Sequence, residues 1–175
     1  IREVLISKEA IEAKTKELAE RISRDYKGKD LLVVGVLKGS VIFASELIKN
    51  ITIPCEIDFM AVSSYGSSSE TTGVVRILKD LDSEISGKHI LIVEDIVDSG
   101  VTLSYLLNYL KTRNASSVEI ASLLTKPSRR KVDIDCKYIG FETPDEFLVG
   151  YGLDYAEKYR NLPFIGILKR EVYEK

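Results

Sequence analysis

Residues 88–93 read Lys-His-Ile-Leu-Ile-Val, and the chain then delivers two adjacent carboxylates, Glu94 and Asp95, ahead of a short turn and a helix-like stretch. A strand that is apolar at successive positions rather than alternate ones must be covered on both faces, as inside a parallel sheet. Leu103, Leu106, Leu107 and Leu110 follow at i, i+3, i+4 and i+7, the apolar stripe of a helix that lies on such a sheet. The run Leu31-Leu32-Val33-Val34-Gly35-Val36 gives the same signal, followed by a helix expected to be capped by Ser40, with Val41, Ala44, Leu47 and Ile48 on one side. An earlier helix starts at Ser7, carries Ile11, Thr15, Leu18 and Ile22 at helical spacing, and stops at Gly28. Further strands are predicted over 56–62, 74–78, 118–124, 138–141 and 164–168. Strand, helix, strand, turn, helix, strand is the order of an α/β fold with a central, mostly parallel sheet flanked by helices.

At 175 residues the chain is the length of one domain, and the predicted elements leave its C-terminal third irregular. A formal charge of −2 argues against a protein that coats nucleic acid, whose affinity depends on many unneutralised Lys and Arg side chains. No apolar run reaches the roughly 18 residues of a membrane span. No charged-then-apolar leader opens the sequence given, and the cytoplasm is the expected location. Cys55 and Cys136 stand in alternating apolar runs without metal-like spacing, so they are expected as reduced thiols in strands. His89 reads as an edge residue, and Arg129-Arg130-Lys131 as a solvated turn or an anion or subunit contact.

The chemistry gathers where the central strand stops. Ligands of open α/β sheets bind beyond the carboxyl ends of the strands. Here that end carries Glu94 and Asp95, then Asp98-Ser99-Gly100-Val101-Thr102 leading into a helix. Outward-pointing N–H groups and the helix dipole favour an anion at such a turn, and Ser99 and Thr102 add donors. Ser, Thr, Asp and Gly before a helix are also ordinary caps, and adjacent acids at a strand end are often merely solvated. Acids suited to ribose hydroxyls or Mg²⁺, beside a phosphate cradle, describe a site for a sugar phosphate. Competing motifs fail: there is no G-x-x-x-x-G-K-[ST], and Tyr155 stands where a dinucleotide fingerprint after Gly150 and Gly152 needs glycine. Asp80-x-Asp82-x-Glu84 has Ile85 where a calcium loop requires glycine.

Residues 90–102, Ile-Leu-Ile-Val-Glu-Asp-Ile-Val-Asp-Ser-Gly-Val-Thr, resemble the phosphoribosyl pyrophosphate signature of type I phosphoribosyltransferases. Further segments narrow the resemblance to the hypoxanthine-guanine phosphoribosyltransferases. Leu37-Lys38-Gly39 is similar to their pyrophosphate loop, Ser64-Tyr65-Gly66 to the start of their lid, and Ser122-Leu123-Leu124-Thr125-Lys126 to their purine-contacting strand end. Residues 140–155, from Gly140-Phe141-Glu142 to Leu153-Asp154-Tyr155, resemble with Arg160 their base-binding hood.

The resemblance implies the type I fold, with a core over about 30–140 and a hood made from the N-terminal segment and about 141–175. It implies transfer of the 5-phosphoribosyl group from phosphoribosyl pyrophosphate to hypoxanthine or guanine, with Mg²⁺. Glu94 and Asp95 would hold the ribose hydroxyls, directly or through metal and water, and Asp98 would manage the N7 proton of the purine. Asp98, Ser99, Gly100, Val101 and Thr102 would hold the 5-phosphate. Leu37, Lys38, Gly39 and Arg160 would meet pyrophosphate, and in the family the Leu-Lys peptide can be cis. Lys126 would donate to the purine O6, Phe147 would stack on the base, and the Leu148 backbone would read its edge. Asp154 would be a second Mg²⁺ contact beside the base. Ser64 and Tyr65 would open a lid over residues 63–73, while Tyr151 and Tyr155 are left as packing. A homodimer or homotetramer is implied. A xanthine-preferring enzyme and a regulator that senses phosphoribosyl pyrophosphate on the same fold are the alternatives.

Overall fold

The structure is a computed structural model and describes residues 1–64 and 75–174. The chain runs β1 (Glu3–Ile6), α1 (Lys8–Asp25), β2 (Leu31–Leu37), α2 (Val41–Asn50), β3 (Glu56–Ser64) and β4 (Val75–Lys79). It continues through β5 (His89–Val97), α3 (Val101–Lys111), β6 (Ser117–Thr125) and β7 (Tyr138–Glu142). A two-residue β8 (Leu148–Val149), β9 (Ile165–Ile167) and one turn of helix, α4 (Arg170–Tyr173), complete it.

Six strands form the main sheet in the order β4-β3-β2-β5-β6-β7, all parallel except β4, which runs antiparallel to β3. The chain winds from β2 outward to β3, then returns to place β5 on the other side of β2. The topological switch point therefore lies between the carboxyl ends of β2 and β5, where open α/β sheets place their ligands. The two central strands are apolar at successive positions, over 31–37 in β2 and 90–93 in β5, because each feeds two cores. Leu31, Val33, Leu91 and Val93 pack with Leu18 of α1 and Phe43 and Leu47 of α2. Leu32, Val34, Ile90 and Ile92 pack with Leu103, Leu106 and Leu110 of α3. Full burial of such side chains contributes about 1.5–3 kcal/mol each, so these strands fix the frame on which the site rests.

Helix α1 begins as its sequence implies, with the Ser7 hydroxyl oxygen accepting from the Ala10 N–H at 3.1 Å. Other expectations need correction. The Ser40 hydroxyl donates to the Val36 carbonyl at 2.7 Å and does not cap α2. Strand β5 does not stop at the acids. It runs on to Val97 because β6 pairs alongside it, with Glu94 opposite Ser122 and Val97 opposite Thr125. Backbone pairing there is indifferent to side-chain polarity, which is what an apolar-run criterion measures. Cys55 and Cys136 are free thiols, as expected, but each lies just outside a strand. The C-terminal third is less irregular than its pattern suggests: β1, β9 and β8 form a small antiparallel sheet in that order.

Candidate active site

At the switch point the two central strands touch through a missing side chain. A Cβ on Gly39 would collide with the Asp95 carboxylate, so the turn after β2 can approach the end of β5 only as glycine. The Leu37–Lys38 peptide bond is cis. Leu37 is the last residue of β2, and the Lys38 side chain is exposed, its Nζ donating to Glu157 Oε2 at 2.9 Å.

Beyond β5 the chain makes the expected turn. Gly100, at φ +83°, is the N-cap of α3 in a left-handed conformation that a side chain would strain. No side chain caps this helix, and the N–H of Val101 reaches only the Ser99 hydroxyl, at 3.4 Å. A helix N-terminus of this kind presents backbone N–H groups and the positive end of the helix dipole, which favour an anion. Glu94, Asp98, Ser99, Gly100 and Thr102 line a cavity of about 170 Å³ at this turn. The segment after β6 braces it from behind. Lys131 N–H donates to the Ser99 carbonyl at 2.9 Å, and Arg130 Nε to the Asp98 carbonyl at 3.2 Å. Arg130 also donates to the Thr125 hydroxyl oxygen at 2.7 Å, so the basic run includes a structural member.

Glu94 and Asp95 form a close acidic pair in partial burial. Burial first, and then the neighbouring Asp95 charge, push the Glu94 carboxyl well above its usual range. Burial also raises Asp95, opposed by the Ile96 N–H that donates to it at 2.7 Å and by the positive charge of Arg160. An acidic pair raised in this way is short of positive charge. Arg160 donates to the Gly152 carbonyl at 2.7 Å, while its buried Nε has no partner among the described residues. No three acidic, His or Cys side chains among the described residues gather as a ready-made metal centre. Mg²⁺ is commonly held by one or two carboxylates with waters and substrate phosphates, and the Glu94–Asp95 pair fits that mode.

A second, larger cavity of about 400 Å³ opens beside the first. Asp98, Lys126, Phe147, Leu148 and Asp154 all line it, so the structure brings together residues spread over 57 positions, 98 to 154 counted inclusively. Lys126 follows β6 and is buried; its N–H donates to the Val97 carbonyl at 2.9 Å and its Nζ to the Glu146 carbonyl at 2.8 Å. Burial lowers its amine pKa, partly offset by Asp98 and Asp145. Asp154 accepts from the Glu157 N–H at 2.8 Å and stands 3.5 Å from Arg160. Ile96 and Tyr173 also line this cavity and were not singled out in the sequence, since a strand isoleucine and a near-terminal tyrosine carry no motif. Tyr151 is buried, as packing requires, and Tyr155 lies edge-on to Phe147. His89 begins β5 and pairs through Nδ1 with the Ser117 hydroxyl at 2.7 Å, far along the strand from the site. Ser64 ends β3, while Tyr65 and the rest of the expected lid up to residue 73 lie outside the described residues.

Comparison with known proteins agrees with this geometry. A family model described as "Phosphoribosyl transferase domain" matches residues 4–156. Hypoxanthine-guanine phosphoribosyltransferase of Bacillus subtilis (strain 168) is 55% identical over 174 residues, covering 99% of this chain and 97% of that protein. A crystal structure of a hypoxanthine phosphoribosyltransferase from Staphylococcus aureus superposes with a TM-score of 0.98 at 53% identity, covering 100% of this chain and 95% of that one. A hypoxanthine-guanine phosphoribosyltransferase from Bacillus anthracis, solved with a HEPES molecule in its active site, gives a TM-score of 0.93 at 50% identity. It covers 97% of this chain and 99% of that one.

Proposed function

Because the chain belongs to the hypoxanthine-guanine phosphoribosyltransferases of the phosphoribosyl transferase domain family, we infer that it is a purine salvage enzyme. It transfers the 5-phosphoribosyl group of phosphoribosyl pyrophosphate to hypoxanthine or guanine, giving the 6-oxopurine mononucleotide and pyrophosphate. One observation carries the reading. Asp98 and Ile96 line both cavities, so the phosphate cradle and the base cavity meet at a carboxylate. A reaction that joins a sugar carbon to a purine nitrogen needs that juncture, with a proton acceptor standing at it.

In this reading the backbone N–H groups of 99–102 hold the 5-phosphate, and Glu94 and Asp95 hold the ribose hydroxyls. Lys38, Gly39 and Arg160 meet the leaving pyrophosphate. Lys126 donates to O6, Phe147 stacks on the base, the Leu148 backbone reads its edge, and Asp98 takes the N7 proton. The Glu94–Asp95 pair would hold Mg²⁺, with Asp154 as a second contact, and the ion would supply positive charge to the leaving pyrophosphate. The core over about 30–140 holds the donor, and the small sheet with its loops forms the hood over the base. The enzyme works as a homodimer or homotetramer in the cytoplasm, where its two free thiols stay reduced. A regulator that only senses the donor would have no use for a second cavity with a buried lysine.

The test is direct: purified protein with Mg²⁺, phosphoribosyl pyrophosphate and, in turn, hypoxanthine, guanine, xanthine, adenine or uracil. Mononucleotide is expected from hypoxanthine and guanine. No product from any base would defeat the reading, and product mainly from xanthine would reassign the acceptor.

A further inference from the structure

The C-terminal turn α4 is too short to stand by itself. A single turn, with bonds such as Val172 N–H to Lys169 O at 3.0 Å and Glu174 N–H to Arg170 O at 2.7 Å, cannot offset the cost of helix nucleation. None of its residues is fully buried. What places it is the residue before it and one ring within it. Leu168 is buried and its N–H donates to the Phe147 carbonyl at 2.8 Å, which delivers α4 to the base cavity. The Tyr173 ring then lies on Phe147, with centroids 4.6 Å apart and planes inclined by 26°.

Phe147 needs such help. It sits in the loop before the two-residue strand β8, where no helix or long strand fixes its side chain. Tyr155 approaches it edge-on at 5.7 Å and 82°, and Tyr173 covers it in near-parallel stack, so two rings hold its orientation. Tyr173, Arg170 and Glu174 also line the base cavity, whereas Tyr155 does not.

We propose that Tyr173 is a positioning residue of the purine subsite: the C-terminal turn packs on Phe147 and holds its ring in the plane on which the base stacks. The inference rests on the reading that the cavity of Lys126 and Phe147 takes a purine. It has a reciprocal consequence. If α4 orders Phe147, a bound purine that orders Phe147 must also order α4, by the same factor.

Steady-state kinetics and hydrogen exchange test both sides on the full chain. An aromatic pair of this kind is worth roughly a two- to tenfold change in an equilibrium constant. Tyr173→Ala is therefore expected to raise the purine KM by that factor, leaving the donor KM and the kcat at saturating purine unchanged, and Tyr173→Phe should restore the purine KM. Inosine 5′-monophosphate should slow exchange of the Val172 and Glu174 amides, and pyrophosphate alone should not. Phe147→Ala is the control. If it leaves the purine KM unchanged, the subsite reading itself fails. If it raises the purine KM while Tyr173→Ala leaves it unchanged, the positioning role is overturned and the subsite survives. A fall in purine KM for Tyr173→Ala also overturns the role, since Tyr173 would then obstruct the ring it covers.

Discussion

The donor side and the base side of the site are built by opposite means. The donor side is nearly continuous in sequence, Glu94 to Thr102, and lies where β5 passes into α3, so its binding groups are set by the core of the sheet. Much of it is backbone: the amides at the start of α3, a left-handed Gly100, and a Gly39 with no side chain to collide with Asp95. The base side is collected from Lys126 after β6, Phe147 and Leu148 around β8, Asp154 in the following loop, and the C-terminal turn. Its loops are conformationally costly: Tyr151, Ala156, Glu157 and Tyr159 all have positive φ, between 49° and 78°. The difference teaches where specificity resides. On the proposed assignment, the transferred group is recognised by what makes the fold, and the acceptor by a surface added to it. Substitutions on the two sides should therefore fail in different kinetic parameters.

The largest effect is expected at the seam. Asp98→Asn removes the proposed proton acceptor while leaving the turn, whose contacts run through backbone groups, in place. Turnover should fall by about 10²–10⁴-fold with donor binding little changed. Pre-steady-state turnover and a donor titration on the same variant check this. A loss confined to donor binding would make Asp98 part of the cradle only.

On the base side, Lys126→Gln should reduce kcat/KM for hypoxanthine by roughly ten- to a hundredfold, the worth of a charge-assisted hydrogen bond. The donor KM should not move. Lys126 also gives this prediction a pH signature. Burial lowers its amine pKa below the lysine value of 10.5, so the protonated donor is lost as pH rises through that lowered value. Within the window between the lowered value and 10.5, the unfolded chain binds the proton and the folded chain does not. Stability therefore rises with pH across it while purine affinity falls. The two opposite slopes distinguish loss of the donor from loss of the fold. The purine's own ionisation is common to wild type and Lys126→Gln, so the alkaline rise in purine KM that is attributable to Lys126 should be missing from the variant.

The same contrast governs what could be read from the sequence. The donor side was legible from the residues themselves, because a buried strand, two acids and a Gly-containing turn before a helix are local patterns with local causes. Even there, the continuation of β5 to Val97 was not, since it depends on β6 lying alongside. Lys126 and Phe147 were legible only through family resemblance; alone, a lysine after a strand and a phenylalanine in a loop carry no signal. Tyr173 and Glu157 were not legible at all, because their roles arise from contacts with residues 26 and 119 positions away in the chain. Ser40 shows the converse error: the right residue type for a cap, with its hydroxyl drawn instead to the carbonyl four residues back.

The smallest predicted effect lies where the two sides face each other. Lys38, from the turn after β2, donates to Glu157 at 2.9 Å, and Arg160 reaches the same carboxylate at 3.3 Å. Both cations are those that pyrophosphate would use, so the anion must compete with Glu157 for them. The Lys38–Glu157 pair is well exposed, at 68% and 62% of its side-chain surfaces, and such pairs are weak and screened by salt. Glu157→Gln should therefore tighten pyrophosphate binding by only about two- to threefold at low salt, with the gain fading as salt rises and the purine KM unchanged. Lys38→Gln should weaken pyrophosphate binding and, combined with Glu157→Gln, should remove most of the gain. A calorimetric titration of the two single variants and the double variant reads all of this. If Glu157→Gln weakens pyrophosphate binding, the hood carboxylate is aiming Lys38 rather than competing with the ligand, and the base side would then take part in holding the donor.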